Sequence, residues 1–266
     1  MPSAKRLLND ITPPLAKRLV VPLLKRMNPN YRPQERETPP SEPFVAPNSN
    51  PKFLAYVVGD PVVKIPVDRI RYPNGCAYTN EKHHFSLYYK YGLEHLRRYY
   101  QENQPRNIFE FFGIEPQEKK HIESHDLPLF PWLDEIGYDF HGGEHGLTRD
   151  HGNQGFGPVS EKKLRLEAAR LDQVLRSVRE RGFLPEIGGY TRGYIMLKST
   201  GQWVFVVRQG LHRTAALVQL QFKDIDVQFS QMCPRFIEEA DVREWPMVKR
   251  SQISERDALA MFFEFF

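Results

Sequence analysis

Proline placement limits where this chain can form regular structure. Thirteen of its 22 prolines lie in residues 1–66, and seven of them lie in residues 28–51. Proline fixes φ and has no backbone N–H to donate, so it interrupts both helices and sheets. We therefore expect residues 28–51 to form an extended linker. The sequence predicts one core domain over residues 51–266, with residues 1–50 as an appended arm.

The first 30 residues combine basic doublets with apolar residues at helical spacing. Six lysines and arginines lie there against one acidic residue, Asp10, so the rest of the chain is close to neutral. Two interpretations stay open for this segment. It is either a helical arm that packs on its own domain or on a second subunit, or a basic amphipathic segment on an anionic membrane surface. Because the basic character is local, nucleic acid is not expected as a partner.

Cysteine usage and hydropathy indicate the compartment. The two cysteines, Cys76 and Cys233, form no CxxC motif, which favours a reducing environment. No apolar run approaches the roughly 20 residues needed to cross a bilayer, and we identify no signal peptide. The sequence therefore predicts a cytoplasmic protein, with peripheral membrane attachment through residues 1–30 as the alternative.

Before residue 160 the core sequence has three segments of different character. The alternating, β-branched run VVKIPVDRI over residues 62–70 predicts a strand. Residues 81–103 indicate a helical region that is interrupted at Gly92. Residues 104–159 are rich in Gly, Pro, His and Asp and show no periodicity. A long segment of this kind is typical of a functional region or an insertion.

After residue 160 the patterns predict alternating helices and strands. The clearest helix starts at the N-cap candidate Ser160 and stops at Gly182, and its apolar residues follow helical spacing. The remaining predictions are a hairpin over 194–207, a short helix over 211–220, a strand over 225–229, and a C-terminal helix with Ser254 and Asp257 as a capping box.

The stretch VFVVRQGLHRTAAL, residues 204–217, is the strongest candidate for a binding site. The residues at the junction of its strand and helix are Gln209, Gly210, His212, Arg213 and Thr214. Helix N-termini attract anions, glycine lets a phosphate approach the backbone, and arginine can bind two phosphate oxygens. The alternative is an ordinary strand–turn–helix, whose arginine forms a salt bridge and whose histidine caps the helix.

The order of elements around this stretch resembles the ParB/sulfiredoxin superfamily. Its members carry a Gly-x-(Arg or His)-Arg signature between a strand and a helix, where this chain has Gly210-Leu211-His212-Arg213. Residues 62–70 look like the family's first strand, and residues 164–229 look like its later elements. The resemblance implies an α+β fold with a small mixed sheet flanked by helices, and with a large insertion at about residues 71–160.

The same resemblance implies a nucleotide site. Family members bind ATP or CTP, usually with Mg²⁺, and hold the phosphates at this turn. Some are nucleotide-switched DNA clamps, some reduce over-oxidised peroxiredoxins, and some phosphorylate a small hydroxyl compound. No helix-turn-helix pattern follows the core here, which disfavours a DNA clamp. Leu211 stands where the sulfiredoxin branch has cysteine, which disfavours sulfinic acid reduction.

Phosphoryl transfer also needs a carboxylate and a group that positions or deprotonates the acceptor. Related kinases carry their catalytic acid after the first strand, where Glu81 is the nearest acidic residue and His83 and His84 are alternative bases. Glu167 lies at the edge of the apolar stripe of the long helix. His212 is the third catalytic candidate. The structural alternatives are a helix start at Glu81 and an arginine ion pair at Glu167.

Eight of the nine histidines lie in residues 83–151. Within this group, His145 and His151 are candidates for substrate contact or metal binding, together with His83 and His84. The glycines of HGGEH argue against a regular helix, so this is not the helical zinc-protease pattern. The glycine-rich loop 151–158 leads directly into the long helix and can either cradle phosphate or serve as a flexible entry.

Three hypotheses follow from the sequence. The first is a nucleotide-dependent phosphotransferase that acts on a small molecule. The second is a non-catalytic nucleotide-binding or scaffold protein attached to a membrane or a partner enzyme. The third is a ParB-like nucleotide switch associated with DNA.

Overall fold

A mixed β-sheet forms the centre of the fold. The computed structural model describes residues 44–45, 51–57, 59–79, 83–116, 130–134 and 147–266. The predicted arm therefore lies outside the described residues, except for Phe44–Val45. The strands are β1 (Phe44–Val45), β2 (Val62–Pro66), β3 (Ile70–Arg71), β4 (Thr191–Leu197), β5 (Trp203–Gln209), β6 (Asp224–Phe229) and β7 (Phe236–Glu238).

Helices cover both faces of this sheet. The α-helices are α1 (His84–Tyr91), α2 (Leu93–Glu102), α3 (Ile108–Phe112), α4 (Glu161–Arg181), α5 (Pro185–Gly188), α6 (Leu211–Gln219), α7 (Pro246–Lys249) and α8 (Glu255–Phe263). Four 3₁₀ segments accompany them: Lys52–Tyr56, Val67–Arg69, Arg149–His151 and Glu239–Glu244. The described residues thus form a mixed α and β structure, in agreement with the predicted α+β class.

The strands are ordered β1-β2-β6-β4-β5-β3, and β7 also pairs with β4. Antiparallel pairs (β2 with β6, β4 with β5) alternate with parallel ones, so the sheet is mixed. The predicted single strand over 62–70 is wrong beyond Pro66. There the chain makes a 3₁₀ turn, and β3 then pairs with β5 at the opposite edge. Because only three residues link β2 to β3, the ends of these strands lie at most roughly 14 Å apart, and the sheet must curl to bring β2, the neighbour of the edge strand β1, toward the opposite edge strand β3.

Alternating side chains bury both faces of the sheet. On β5, Trp203 and Phe205 belong to one apolar cluster, whereas Val204 and Val206 belong to the other. Successive side chains of a strand point to opposite faces, which explains this division. The first cluster includes apolar residues of α1, α2, α4 and α6, and the second includes residues of α3, α7 and α8. The sheet is therefore sandwiched between two helical layers.

Most predicted helices are confirmed at their capping residues. The Ser160 side chain accepts a hydrogen bond from the Lys163 amide, and Ser254 accepts one from the Asp257 amide. Gly92 separates α1 from α2 at a positive φ of 81°. The prediction that residues 104–159 are irregular is wrong at α3, which begins after Asn107. Among the described residues, no helix has the length and apolar character that crossing a membrane requires.

Candidate functional site

The glycine between β5 and α6 creates a tight strand-to-helix turn. Gly210 adopts the left-handed conformation with φ 85° and ψ 26°, which is strained for residues with a side chain. The Thr214 amide donates to the Gly210 carbonyl (2.9 Å), so α6 begins immediately after the glycine. No side chain caps this end of α6 in the described structure. The first N–H groups of the helix therefore remain available to an anion.

Thr214 holds the turn in place from behind. Its side chain is fully buried, and its hydroxyl donates to the Gly210 carbonyl at 3.1 Å. The same oxygen lies 3.1 Å from Oγ1 of Thr191 on β4. Thr214 does not line the cleft described next, so its position supports the turn rather than direct contact with a phosphate.

The turn opens onto a large cleft. This cleft has a volume of about 1060 Å³, and its walls are one side of α4, the β5–α6 turn and the loop that precedes α4. Gln209, Gly210, His212 and Arg213 all line it, as the sequence predicts for phosphate-binding residues. The other cationic residues of the described wall are Lys163, Arg170, Arg176, Arg181 and Arg208, whereas its acidic residue is Glu180. The described wall is therefore strongly cationic.

A buried carboxylate joins two of the residues that line the cleft. Glu167 is completely buried; its Oε2 lies 2.5 Å from Nε2 of His212, and its Oε1 lies 2.8 Å from Nζ of Lys163. Burial alone would raise the pKa of Glu167. The hydrogen bond and charge of His212, together with the charge of Lys163, outweigh burial and lower this pKa to about 2. Glu167 is therefore ionised and positions both side chains.

This geometry changes the interpretation of the catalytic carboxylate. The predicted ion pair of Glu167 is confirmed, but its close partners are Lys163 and His212, while the Arg170 guanidinium is 3.7 Å away. Both carboxylate oxygens are engaged, and the side chain has no exposed surface. Without a rearrangement, Glu167 cannot reach a substrate, whereas His212 lines the cleft and can.

Arg213 presents an uncompensated charge to the cleft. Its guanidinium donates to the carbonyl of Gly188, in the segment between α4 and β4. Burial lowers the pKa of Arg213, and no carboxylate of the described residues forms a salt bridge with it. A half-buried guanidinium in this position is well suited to a phosphate, which can accept two parallel hydrogen bonds.

The glycine-rich loop forms a second wall of the cleft. The Tyr99 hydroxyl donates to the Gly155 carbonyl (2.8 Å), and the Tyr100 hydroxyl donates to the Gln154 carbonyl (2.9 Å). The Gly157 amide donates to the carbonyl of Asn103 at 2.8 Å. These bonds fix residues 152–156 against α2, so the described loop is held by specific contacts and is more than a flexible entry to α4.

His83 and His84 lie behind the cleft rather than in its wall. Both are buried, and both ring nitrogens of His83 and Nε2 of His84 have no hydrogen-bond partner within the described structure. Burial lowers the pKa of His83 to about 3, and burial also lowers that of His84, so both rings are neutral. The His84 ring stacks on Tyr99 with centroids 4.3 Å apart. Neither imidazole is therefore placed to act as a base on a ligand in the cleft.

Of the remaining predicted site residues, one has a structural role and two lie outside the described residues. Nδ1 of His151 lies 2.8 Å from Oγ of Ser160. The backbone carbonyl of His151 also accepts a hydrogen bond from the Ser160 amide at 3.0 Å. His151 therefore supports the start of α4. Glu81 and His145 lie outside the described residues, so their predicted roles stay predictions.

The described residues do not fit a protein-bound Mg²⁺ near the turn. Magnesium prefers carboxylate and other oxygen ligands, yet both oxygens of Glu167 contact cationic side chains. Glu180 lies 13 residues after Glu167 on α4, which is roughly 20 Å from Glu167 along the helix axis at 1.5 Å per residue. Within the described ranges, no group of three His, Cys, Asp or Glu side chains is placed to hold a metal ion.

Sequence reasoning missed the cations that α4 contributes. Lys163, Glu167 and Arg170 follow i, i+4, i+7 spacing, which places them on one side of the helix. This polar stripe beside the apolar one is the sequence signal from which these residues could be identified. The sequence could not show that this side faces the β5–α6 turn. The chain matches no protein-family model, and a search of curated proteins finds no match.

Proposed function

We propose that this chain is a nucleotide-binding protein that holds the phosphates of ATP or CTP at the β5–α6 turn. The observation that carries the proposal is the convergence of Gly210, His212 and Arg213 on one large cationic cleft. The N-terminus of α6 supplies backbone donors, and Arg213 supplies a guanidinium without a carboxylate partner in the described structure. The choice of a nucleotide, rather than another phosphate compound, comes from the family resemblance.

Titration calorimetry with ATP and CTP tests this proposal. We expect Arg213→Ala to weaken binding by about tenfold or more, because it removes a charge-assisted hydrogen bond. Arg179→Ala is the matched control, since Arg179 is an exposed residue of α4 outside the cleft wall. Absence of binding by the wild-type protein, or an Arg213→Ala affinity equal to that of wild type, would contradict the proposal.

Phosphoryl transfer to a small hydroxyl acceptor is the second candidate function. The specific observation in its favour is His212, which lines the cleft and is oriented by a buried carboxylate. An imidazole held in this way can position or accept a proton. The enclosure of Glu167 counts against it, because the described cleft wall near the turn then offers no carboxylate to the acceptor. For this reason we place binding before transfer.

A turnover assay separates the two candidates. Purified protein is incubated with γ-labelled ATP or CTP and a panel of small hydroxyl compounds, and labelled products are counted. If transfer occurs, His212→Gln should reduce turnover far more than it reduces nucleotide affinity. If the protein binds nucleotide but yields no labelled product above a protein-free control, transfer to these acceptors is excluded and binding without chemistry remains.

A further inference from the structure

We propose that His212 takes up a proton when the cleft binds a phosphate, so that the affinity for the ligand falls as the pH rises. This inference rests on the proposed function, which places phosphates at the β5–α6 turn. The proton comes from the solvent, and the bound form of His212 is a positively charged imidazolium. Three observations lead to it: the contact of Nε2 with Glu167, the open position of Nδ1 and the groups that surround the ring.

The first observation fixes a proton on one ring nitrogen. Nε2 of His212 lies 2.5 Å from Oε2 of Glu167. Two hydrogen-bond acceptors do not approach each other this closely, so a proton lies between these atoms. Although burial raises the pKa of Glu167, His212 and Lys163 lower it to about 2, so the carboxylate is ionised. The proton therefore belongs to Nε2, which donates to Glu167.

The second observation is that the other ring nitrogen is open to a ligand. Nδ1 of His212 has no hydrogen-bond partner within the described structure, and it is not sealed from solvent as both ring nitrogens of His83 are. His212 lines the cleft in the first turn of α6, beside the backbone N–H groups that suit a phosphate. While Nε2 carries the only proton, Nδ1 presents a lone pair. That lone pair repels a phosphate oxygen, whereas an N–H group at the same position attracts it.

The third observation concerns the charged groups around the ring. The contact of Glu167 favours a positive charge on His212. Three cationic side chains near this carboxylate or next to the ring oppose that charge: Lys163 and Arg170 on α4, and Arg213 on α6. A phosphate bound at the turn adds negative charge beside Nδ1. It therefore shifts the equilibrium of the imidazole toward the protonated form.

The remaining groups around the ring carry no charge. From α1, the Phe85 ring stacks on His212 with centroids 4.9 Å apart, and His84 is neutral because burial lowers its pKa. The tyrosines that interact with Glu167, Tyr72 and Tyr100, are also neutral, since burial raises their pKa. Among the described groups that face the ring, His212 is therefore the one whose charge can respond to a ligand near neutral pH.

The test measures affinity and proton uptake together. Calorimetry with ATP, CTP and sodium tripolyphosphate is carried out between about pH 6 and 9 at a constant magnesium concentration. The heats in two buffers of different ionisation enthalpy give the number of protons taken up for each ligand bound. Because a terminal phosphate has its own pKa near 6, wild type is compared with His212→Gln, which binds the same ligand but cannot gain the charge.

We expect the affinity of wild type relative to His212→Gln to fall by about tenfold or more between the two ends of this pH range. Near neutral pH, wild type should take up at least about half a proton more for each ligand bound than the variant does. His95→Gln is the matched control, since His95 lies on α2 outside the described cleft wall and stacks on Tyr91. This control should match wild type in both measurements.

Each result has a defined consequence. Equal pH profiles and equal proton numbers for wild type and His212→Gln overturn the inference but leave the proposed function intact. The same follows if wild type binds ATP or CTP without proton uptake at every pH, a measurement that does not depend on the folding of a variant. If tripolyphosphate binds with the extra proton but ATP and CTP do not bind, the inference stands and the nucleotide proposal fails. If none of the three probes binds at any pH, both are overturned.

Discussion

Glu167 shows how a single buried residue can organise a binding surface. It has no exposed surface, yet it holds both Lys163 and His212 at the wall of the cleft. One carboxylate thus fixes two polar groups on different helices, α4 and α6. The residue predicted as a catalytic candidate is better explained as the support on which the cleft wall depends.

Removal of this carboxylate should destabilise the protein. We expect Glu167→Ala to lower the free energy of unfolding by about 3–5 kcal/mol, because it breaks the buried ion pair with Lys163 and the buried hydrogen bond with His212. Urea denaturation monitored by circular dichroism measures the change. Glu161→Ala is a suitable control, since Glu161 is an exposed residue of the same helix and should change stability little. Equal stability of Glu167→Ala and wild type would show that the buried network contributes nothing.

Part of the site follows from the sequence, and the reason is local chemistry. Gly210, His212 and Arg213 are adjacent in the chain, so their meeting at one turn needs no tertiary information. Lys163 is different, because its role depends on how α4 packs against α6. For His83 and His84 the sequence is misleading. Their polarity predicts a site, but the fold buries them among aromatic rings such as Tyr72.

At the level of elements, the loop before α4 shows the strongest steric constraint. A Cβ added at Gly157 would overlap the carbonyl oxygen of Tyr100, which belongs to α2. At Gly155 the nearest atom to an added Cβ is the Asn153 side-chain oxygen, at 3.1 Å. Residue 157 therefore has to be glycine for the loop to lie against α2, while residue 155 has more freedom.

This contrast predicts different outcomes for two substitutions in one loop. Gly157→Ala should lower the free energy of unfolding by about 1–3 kcal/mol, because the backbone must shift to admit the methyl group. It should also weaken nucleotide binding, since residues 152–156 line the cleft. Gly155→Ala, the matched control, should have a smaller effect on stability. Thermal unfolding and calorimetry measure both; similar losses in the two variants would contradict the steric argument.

The elements that could be predicted are those with their own start and stop signals. Ser160 and Gly182 bound the helix α4, so the sequence predicts each of its ends to within a residue. The predicted strand over 62–70 merges Ile70 of β3 with β2, and no predicted strand covers β7, because the pairing partners of these short strands, rather than their own two or three residues, specify them. The helix α3 had a usable signal, since the Asn107 side chain accepts from the Glu110 amide, but it lies in a sequence segment without periodicity.

For the whole molecule, the buried histidines imply sensitivity to acid. Burial lowers the pKa of His83 from 6.5 to about 3, and burial lowers that of His84 as well. The unfolded chain takes up these protons near pH 6.5, whereas the folded protein does not. The contribution of neutral His83 to the free energy of unfolding is therefore fully present above pH 6.5 and is lost as the pH falls toward 3.

The loss in the free energy of unfolding should be measurable at mildly acidic pH. For His83 alone we expect about 1.4 kcal/mol per pH unit below 6.5, or about 2 kcal/mol between pH 6.5 and 5. Urea denaturation across this range gives the slope. His83→Phe, which keeps an aromatic ring among Tyr72 and Tyr78, should reduce that slope. An unchanged slope in this variant would show that His83 does not cause the acid sensitivity.

The curled sheet also affects the order in which the molecule can be assembled during synthesis. Residues 62–71 supply both β2 and β3, yet β2 pairs with β6, and Lys64 contacts Asp226, 162 residues later. At the opposite edge, Ile70 pairs with Phe205. Loop closure over such distances is slow. A nascent chain must therefore carry β3 without β5 until residues beyond Gln209 have left the ribosome, and β2 without β6 until residues beyond Phe229 have left it.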